Sequence, residues 1–321
     1  MRQSLILISF LTCAFFSNAQ TPSKKAKKYI EKVFALIEKN YFYIDSINIP
    51  LLKEKCNALI SNANTINDTY PAIDTLLKYL FDHHHIFIKP LQFSNLTYFE
   101  PLVYPTAKLL DKSIGYVKIP STIGHYNEWQ WWSDSLQNSI ARIQTPEIKG
   151  WIIDLRGNKG GDLTPMITSV KPFFGDTTIF TLKDRNNKLT TYKFSNGFYI
   201  LEKNSKSTKL LAYKSGIENV KNIPVAILID TKSASSAEMV AIAFKGRTRT
   251  IFLGEPTAGL TICTNGFTLS DNAFFTIATG KFYDTKGNSY EHSITPDIFI
   301  RQEINSADET KQKAIEWILK Q

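Results

Sequence analysis

Three serines stand between a strand-like run and a helix-like run in residues 225 to 259, VAILIDTKSASSAEMVAIAFKGRTRTIFLGEPTAG, and a hydroxyl at such a junction can act as a nucleophile. Val225 to Ile229 is short, branched and apolar, the pattern of an interior strand. Ala237 to Phe244 carries helix formers with apolar residues on more than one face. Backbone N–H groups at a helix start lack intrahelical partners and carry partial positive charge, so they can hold the oxyanion formed when a hydroxyl attacks a carbonyl. The same residues also read as an N-cap, because Ser233, Ser235 or Ser236 ahead of Glu238 resembles a capping box. On this segment alone both readings stand.

A second segment, Gly150 to Asp162 (GWIIDLRGNKGGD), is a strand-like run from Trp151 to Leu155 that breaks into a turn with Gly157, Gly160 and Gly161. Glycines there permit positive φ and a close approach by another backbone or a ligand. Asp154 and Arg156 at the strand end read as a structural ion pair. No Gly-Lys-Ser/Thr follows the glycines and the dinucleotide spacing is absent, which excludes a phosphate loop.

Together the two segments resemble the C-terminal processing protease and tricorn-type serine peptidase family, the tail-specific protease superfamily. DLRGNKGG is similar to that family's DLRxNxGG turn, SASSAE to its nucleophile motif, GEPTAG to the strand and turn that follow, and YEHSITPD to its terminal E-x-x-G-I-x-P-D signature. The motifs occur in the family's order over about half the chain. The resemblance implies that Ser235, three residues before Glu238, is the nucleophile. It implies an oxyanion hole made by the amide of Gly160 or Gly161 and that of Ser236.

Family members divide by their general base. The processing proteases place a lysine after the glycine of a T-x-G-K turn, and here the turn reads Thr257-Ala258-Gly259-Leu260. Leucine cannot accept a proton. Histidine is the side chain whose ordinary pKa suits a base at neutral pH. The tricorn-like branch supplies it from an L-x-D-x-H pattern, which Leu80-Phe81-Asp82-His83-His84-His85 fits with His84 in register. Three adjacent histidines also suggest a metal, but strand neighbours alternate faces, so only His83 and His85 share one, and no other Cys/His cluster completes a site. His125 and His292 are isolated. Glu291 occupies the signature's glutamate, and the resemblance gives it the role of the acid that orients His84, against the plainer reading of a surface carboxylate before a turn. The signature's glycine is replaced by Ser293.

Composition fits an exported hydrolase. Met1 to Ala19 has an early arginine, an apolar centre from Leu5 to Phe16 and small residues before a cut, the pattern of a signal peptide too short for a transmembrane span. A lipoprotein anchor on Cys13 is the rival reading, and Phe10-Leu11-Thr12-Cys13 makes a poor lipobox. No later segment is long and apolar enough to insert stably in a membrane. Of three cysteines, Cys56 and Cys263 remain after cleavage and read as buried free thiols. The net charge of +9 comes from scattered lysines and a denser group at Lys24, Lys25, Lys27 and Lys28, with no nucleic-acid motif behind it.

Behind these anchors lie the elements that must position them. Lys27 to Lys39 places Ile30, Val33, Phe34 and Ile37 at helical spacing, and Pro50 to Asn62 and Tyr70 to Phe81 read as two more helices. These form a helical subdomain over 22–90, ahead of a core over 91–321. Too few residues separate His85 from the strand-like Ile114 to Pro120 for the peptide-binding PDZ domain of the processing proteases, since an independent domain takes about 50. Asn127 to Ile143 reads as a helix whose Trp129, Trp131 and Trp132 are packing residues or walls of a groove.

The resemblance implies a crotonase-like α/β core and a serine peptidase that acts on peptide or protein substrates, is exported to the periplasm or beyond, and needs no metal or organic cofactor. The competing readings are a binding protein that keeps the fold without turnover, and a crotonase-type enzyme for acyl thioesters, which the export signal opposes.

Overall fold

The computed structural model describes residues 21–81, 84–90, 101–214, 220–301 and 307–321. The segment Met1 to Ala19, which reads as a signal peptide in the sequence, and His83 lie outside the described residues. The chain groups into two compact units, residues 1–35 with 48–79, and residues 36–47 with 80–321.

The smaller unit is helical. Helix α1 (Lys24–Asn40) starts where Ser23 Oγ accepts the Ala26 N–H at 3.2 Å. Ala26, Tyr29, Ile30, Val33 and Phe34 recur at helical spacing and are buried, while Lys24, Lys25, Lys27, Lys28 and Lys32 are exposed. Asn48 caps α2 (Ile49–Leu59) by accepting the Leu51 N–H at 3.1 Å, with Pro50 in the first turn. Helix α3 (Tyr70–Lys78) packs on α2, and Cys56 Sγ donates to Ala72 O at 3.5 Å. Burial pushes the Cys56 thiol up to about 11.

The larger unit carries two sheets in a mixed α/β arrangement. The first has six strands in the spatial order β13 (Ile298–Phe299), β10 (Thr250–Gly254), β9 (Val225–Ile229), β4 (Gly150–Asp154), β3 (Ile114–Lys118) and β2 (Thr106–Leu110). All but β2 run parallel. Strands β4 and β9 are central and buried along their whole length, as their unbroken apolar runs require. Side chains alternate faces. Trp151, Ile153 and Ile227 join a core with Trp132 of α4 (Trp129–Ile143), Ile167 of α5 (Leu163–Ser169) and Phe244 of α6 (Ser236–Lys245). Ile152, Ala226 and Leu228 face the other way, onto Ala314 and Ile318 of α7 (Glu309–Leu319).

The Asp154–Arg156 pair read from sequence is the centre of a buried network. Arg156 binds both Asp154 oxygens at 2.7 and 3.0 Å and both oxygens of Asp308, the N-cap of α7, at 2.8 and 2.9 Å. Tyr116 Oη donates to Asp154 at 2.7 Å. Burial alone would raise the Asp154 carboxyl, but Arg156, Lys118 and Tyr116 outweigh it and hold it below the usual range.

The second sheet has seven antiparallel strands: β1 (Ile86–Ile88), β12 (Phe274–Tyr283), β5 (Thr178–Asp184), β6 (Leu189–Ser195), β7 (Phe198–Lys203) and β8 (Lys206–Ala212) in line, with β11 (Ile262–Thr268) also on β12. Ile86 lies opposite Thr276 and Ile262 opposite Lys281, so β12 brings the segment after His84 and the strand that opens at Ile262 onto one scaffold.

Candidate active site

Turns leave the carboxyl ends of β4 and β9, and these strands are sheet neighbours, so the two turns arrive side by side. Asn158 fastens them. Its side chain donates to Ile119 O and Pro120 O at 3.1 Å each, and its own carbonyl accepts the Ala234 N–H at 2.9 Å. Its Oδ1 accepts the Gly160 N–H at 2.8 Å.

Gly160 and Gly161 have φ of +92° and +122°, a region that side chains rarely adopt. A Cβ on Gly160 would lie 2.8 Å from Ser235 Cβ and 3.1 Å from Ser236 N, so only a glycine lets this turn close on the serines. A Cβ on Gly161 would overlap the Thr122 carbonyl. Of the two amides proposed for an oxyanion hole, that of Gly160 is committed to Asn158, and that of Gly161 has no acceptor among the described residues.

Structure separates the three serines. Ser233 is fully buried, accepts the Asp230 N–H at 3.0 Å and donates to Leu155 O at 3.0 Å. Ser236 donates its hydroxyl to Gly161 O at 2.6 Å. Ser235 alone is half-exposed, and it occupies the N-cap of α6 at φ 53°, ψ −118°, outside the regions an L-residue adopts without strain. The N–H groups of Ala237, Glu238 and Met239 bond to Ala234 O and Ser235 O. The Ser236 N–H has no such acceptor among the described residues, and it stands at the positive end of α6 beside Gly161.

Glu238 holds the strained serine. It is fully buried and accepts four donors: Ser235 N–H at 2.8 Å, Thr257 Oγ1 at 2.6 Å, Gly259 N–H at 2.9 Å and Leu260 N–H at 2.8 Å. Burial pushes its carboxyl above the ordinary glutamate range against the pull of those donors. Thr257 Oγ1 in turn accepts the Ile294 N–H at 2.7 Å. In the sequence Glu238 reads as a motif marker and a capping partner, and Asn158 as one residue of a glycine-rich turn. The signal for both was available, since each is a polar residue fixed within a motif that turns inward.

Two residues beyond Leu260, the Ile262 carbonyl lies 3.1 Å from His84 Nδ1. A carbonyl only accepts, so in the neutral ring Nδ1 carries the proton and Nε2 keeps its lone pair. The links from Ser235 to His84 therefore run through Glu238, the Gly259-Leu260 turn and Ile262. Ser235 and His84 share no direct hydrogen bond in this structure. The Glu291 carboxylate pairs with Lys281 Nζ, which also lies 5.3 and 5.4 Å from the rings of Phe42 and Tyr43. Lys245 Nζ bonds to Thr295 O at 3.3 Å and Asp297 at 3.5 Å. Lys245 and Lys281 are thus each bonded to groups other than Ser235. Among the described residues no group of three His, Cys, Asp or Glu side chains is arranged to hold a metal. Among the described residues no helix is long and apolar enough to cross a membrane. Of the tryptophans on α4, Trp132 is core and Trp131 is 72% exposed.

The chain belongs to peptidase family S41, whose sequence profile matches residues 113–300. It is 28% identical over 296 residues to a nisin-resistance protein of Lactococcus lactis subsp. lactis, covering 92% of this chain and 87% of that protein. It is 26% identical over 196 residues to a carboxy-terminal-processing protease of Bartonella bacilliformis, covering 60% of this chain and 40% of that protein. Among solved structures, a lipoprotein from Streptococcus agalactiae superimposes with a TM-score of 0.75 at 23% identity, covering 92% and 96% of the two chains. A photosystem II D1 C-terminal processing protease superimposes with a TM-score of 0.63 at 13% identity, covering 90% and 96%. These likenesses show a shared fold.

Proposed function

We propose that the protein is an exported serine peptidase on a crotonase-like core, with Ser235 as nucleophile and His84 as general base. The observation that carries this reading is the contrast among the serines. Ser233 and Ser236 spend their hydroxyls on backbone carbonyls, and Ser235 is left half-exposed on a strained N-cap beside two amides that have no acceptor among the described residues.

In this reading Ser235 Oγ attacks the peptide carbonyl carbon as Nε2 of His84 takes the hydroxyl proton. The Gly161 and Ser236 amides receive the oxyanion, and the positive end of α6 adds to their field. The tetrahedral intermediate collapses by breaking the C–N bond, and His84 returns the proton to the leaving amine. Water, activated by the same imidazole, then hydrolyses the ester. The Ile262 carbonyl, rather than Glu291, keeps the imidazole in the productive tautomer, because Glu291 is held by Lys281. The chemistry requires no metal or organic cofactor. Export rests on the segment Met1 to Ala19. A relative named for nisin resistance makes nisin a substrate to assay first.

The test is mass-spectrometric detection of a fluorophosphonate adduct on Ser235, with peptide cleavage measured in parallel. Adduct and cleavage should both vanish in Ser235→Ala and persist in Ser236→Ala. A chain that forms no adduct and cuts no peptide is a non-catalytic binding protein on this fold.

A further inference from the structure

Large apolar side chains lie exposed immediately beside the donor turn. Thr122 is joined to that turn by a parallel bridge to Gly161 and by the Asp162 N–H, which donates to Thr122 O at 2.5 Å. Gly124 N–H is tied to Asp162 Oδ2 at 2.8 Å. Between and just after these anchors, Ile123 is 61% exposed and Tyr126 is 67% exposed. Tyr126 is braced by Trp129, with ring centroids 5.1 Å apart, and nearby Tyr104 Oη reaches Glu128 at 3.3 Å while leaving its ring 40% exposed.

Burying such side chains on a partner is favourable, and clustered exposed apolar residues mark binding surfaces. Here the cluster is fixed to the donor turn by the Thr122–Gly161 bridge and by the Gly124 bond to the Asp162 side chain, and successive Cα atoms are only about 3.8 Å apart, so Ile123 sits a single step from the bridged residue. A peptide whose carbonyl oxygen lies between the Gly161 and Ser236 amides has its neighbouring side chains within reach of this shelf.

Resting on the peptidase reading above, we propose that Ile123 and Tyr126 form a specificity subsite that receives a large apolar side chain of the substrate next to the bond that is cut. The occupant is the substrate, because the shelf is continuous with the donor turn. Trp129 acts as a positioning residue for the Tyr126 ring.

The experiment exposes the mature protein to a peptide library of random sequence and maps cut sites by mass spectrometry, with Ile123→Ser, Tyr126→Ser and the double variant alongside. Wild type should enrich Leu, Ile, Phe, Tyr or Met at one position flanking the cut by about tenfold, within the range a hydrophobic pocket provides. The double variant should flatten that position while still forming the fluorophosphonate adduct on Ser235. An unchanged profile in the double variant, or no apolar enrichment in wild type despite adduct formation, overturns the subsite and leaves the peptidase reading intact. No adduct and no cleavage in wild type overturns both. A dimer in light scattering that dissociates in Tyr126→Ser would assign the shelf to a second copy and also overturn the proposal.

Discussion

Replacing Glu238 tests whether the geometry of Ser235, the proposed nucleophile, is imposed by one buried carboxylate. Oε2 accepts Ser235 N–H and Leu260 N–H at 2.8 Å each, and Oε1 accepts Thr257 Oγ1 at 2.6 Å and Gly259 N–H at 2.9 Å. Glu238→Ala removes both oxygens and strands these donors in a fully buried site. Each unsatisfied buried donor costs about 1–3 kcal/mol, and water entering the cavity recovers part of it, so the net loss should be about 3–5 kcal/mol. Glu238→Gln is a finer probe. With its amide nitrogen toward Thr257, whose oxygen can accept, and its oxygen toward Ser235 and Leu260, Gly259 N–H loses its partner and the Thr257 O–H must turn to another acceptor. The glutamine variant should lose about 1–3 kcal/mol. Urea unfolding measures these differences. Ser235 should relax from its strained φ in Glu238→Ala, and a displacement of about 1 Å should lower kcat by roughly a hundredfold in protein that is still folded. Glu238→Gln should recover most of that loss. Native stability together with a native labelling rate in Glu238→Ala would refute the idea that this carboxylate sets the site.

His84→Ala should lower kcat by several orders of magnitude, and the wild-type rate should fall on the acid side as a group titrates near neutrality; a flat profile from pH 5 to 8 would exclude the imidazole base. Gly161→Ala places a methyl on the Thr122 carbonyl at a φ of +122°, so it should abolish activity and lower the melting temperature, whereas a fully active variant would show that this turn does not supply the oxyanion donor. Asp308 titrates at about 2 instead of 3.8 because its bonds to Arg156 and the Lys311 N–H outweigh the upward push of burial. A lowered carboxylate pKa stabilises the fold above pH 4, and the contribution is lost as pH falls from about 4 to 2. Discounted for partial exposure it is roughly 1–2 kcal/mol. Asp308→Asn should therefore be less stable than wild type at pH 6 and nearly equal to it at pH 2, and equal stability at pH 6 would show that the pair contributes nothing.

The parts of the site legible in the sequence are those where the backbone itself is unusual. Gly160 and Gly161 announce positive φ, the branched runs at Trp151 and Val225 announce central strands, and Ser235 before Glu238 announces a helix start. The helices at 24–40, 49–59 and 70–78 were legible for a similar reason, since one apolar stripe in each has to be buried. Strands β5 to β8 went unread. Their pairing is antiparallel and one face stays wet, so runs such as Lys206 to Leu210 carry five exposed or nearly exposed polar and apolar residues without a clear core period.

Side-chain partners are harder to read than backbone turns, and His84 shows why. Its orienting group is the carbonyl of Ile262, 178 residues away, and a carbonyl is present whatever side chain stands at that position. The acid suggested by the terminal signature is present as Glu291, but register sets Lys281 opposite Ile262 and that lysine takes the carboxylate. Charges about 200 residues from His84 in sequence, Lys281 and Glu291, cannot be assigned partners until strand pairing is known, because one step of register would turn Lys281 to the other face of β12. The lysine therefore decides what Glu291 can do. Lys281→Met frees the carboxylate without adding a competing donor, and if pairing is what withholds Glu291 from the imidazole, a freed carboxylate beside the ring favours the imidazolium, so the acid limb of that variant should move to higher pH while Glu291→Gln in the wild-type background leaves the limb where it was. A large shift on Glu291→Gln alone would show that the carboxylate reaches His84 during turnover despite its lysine.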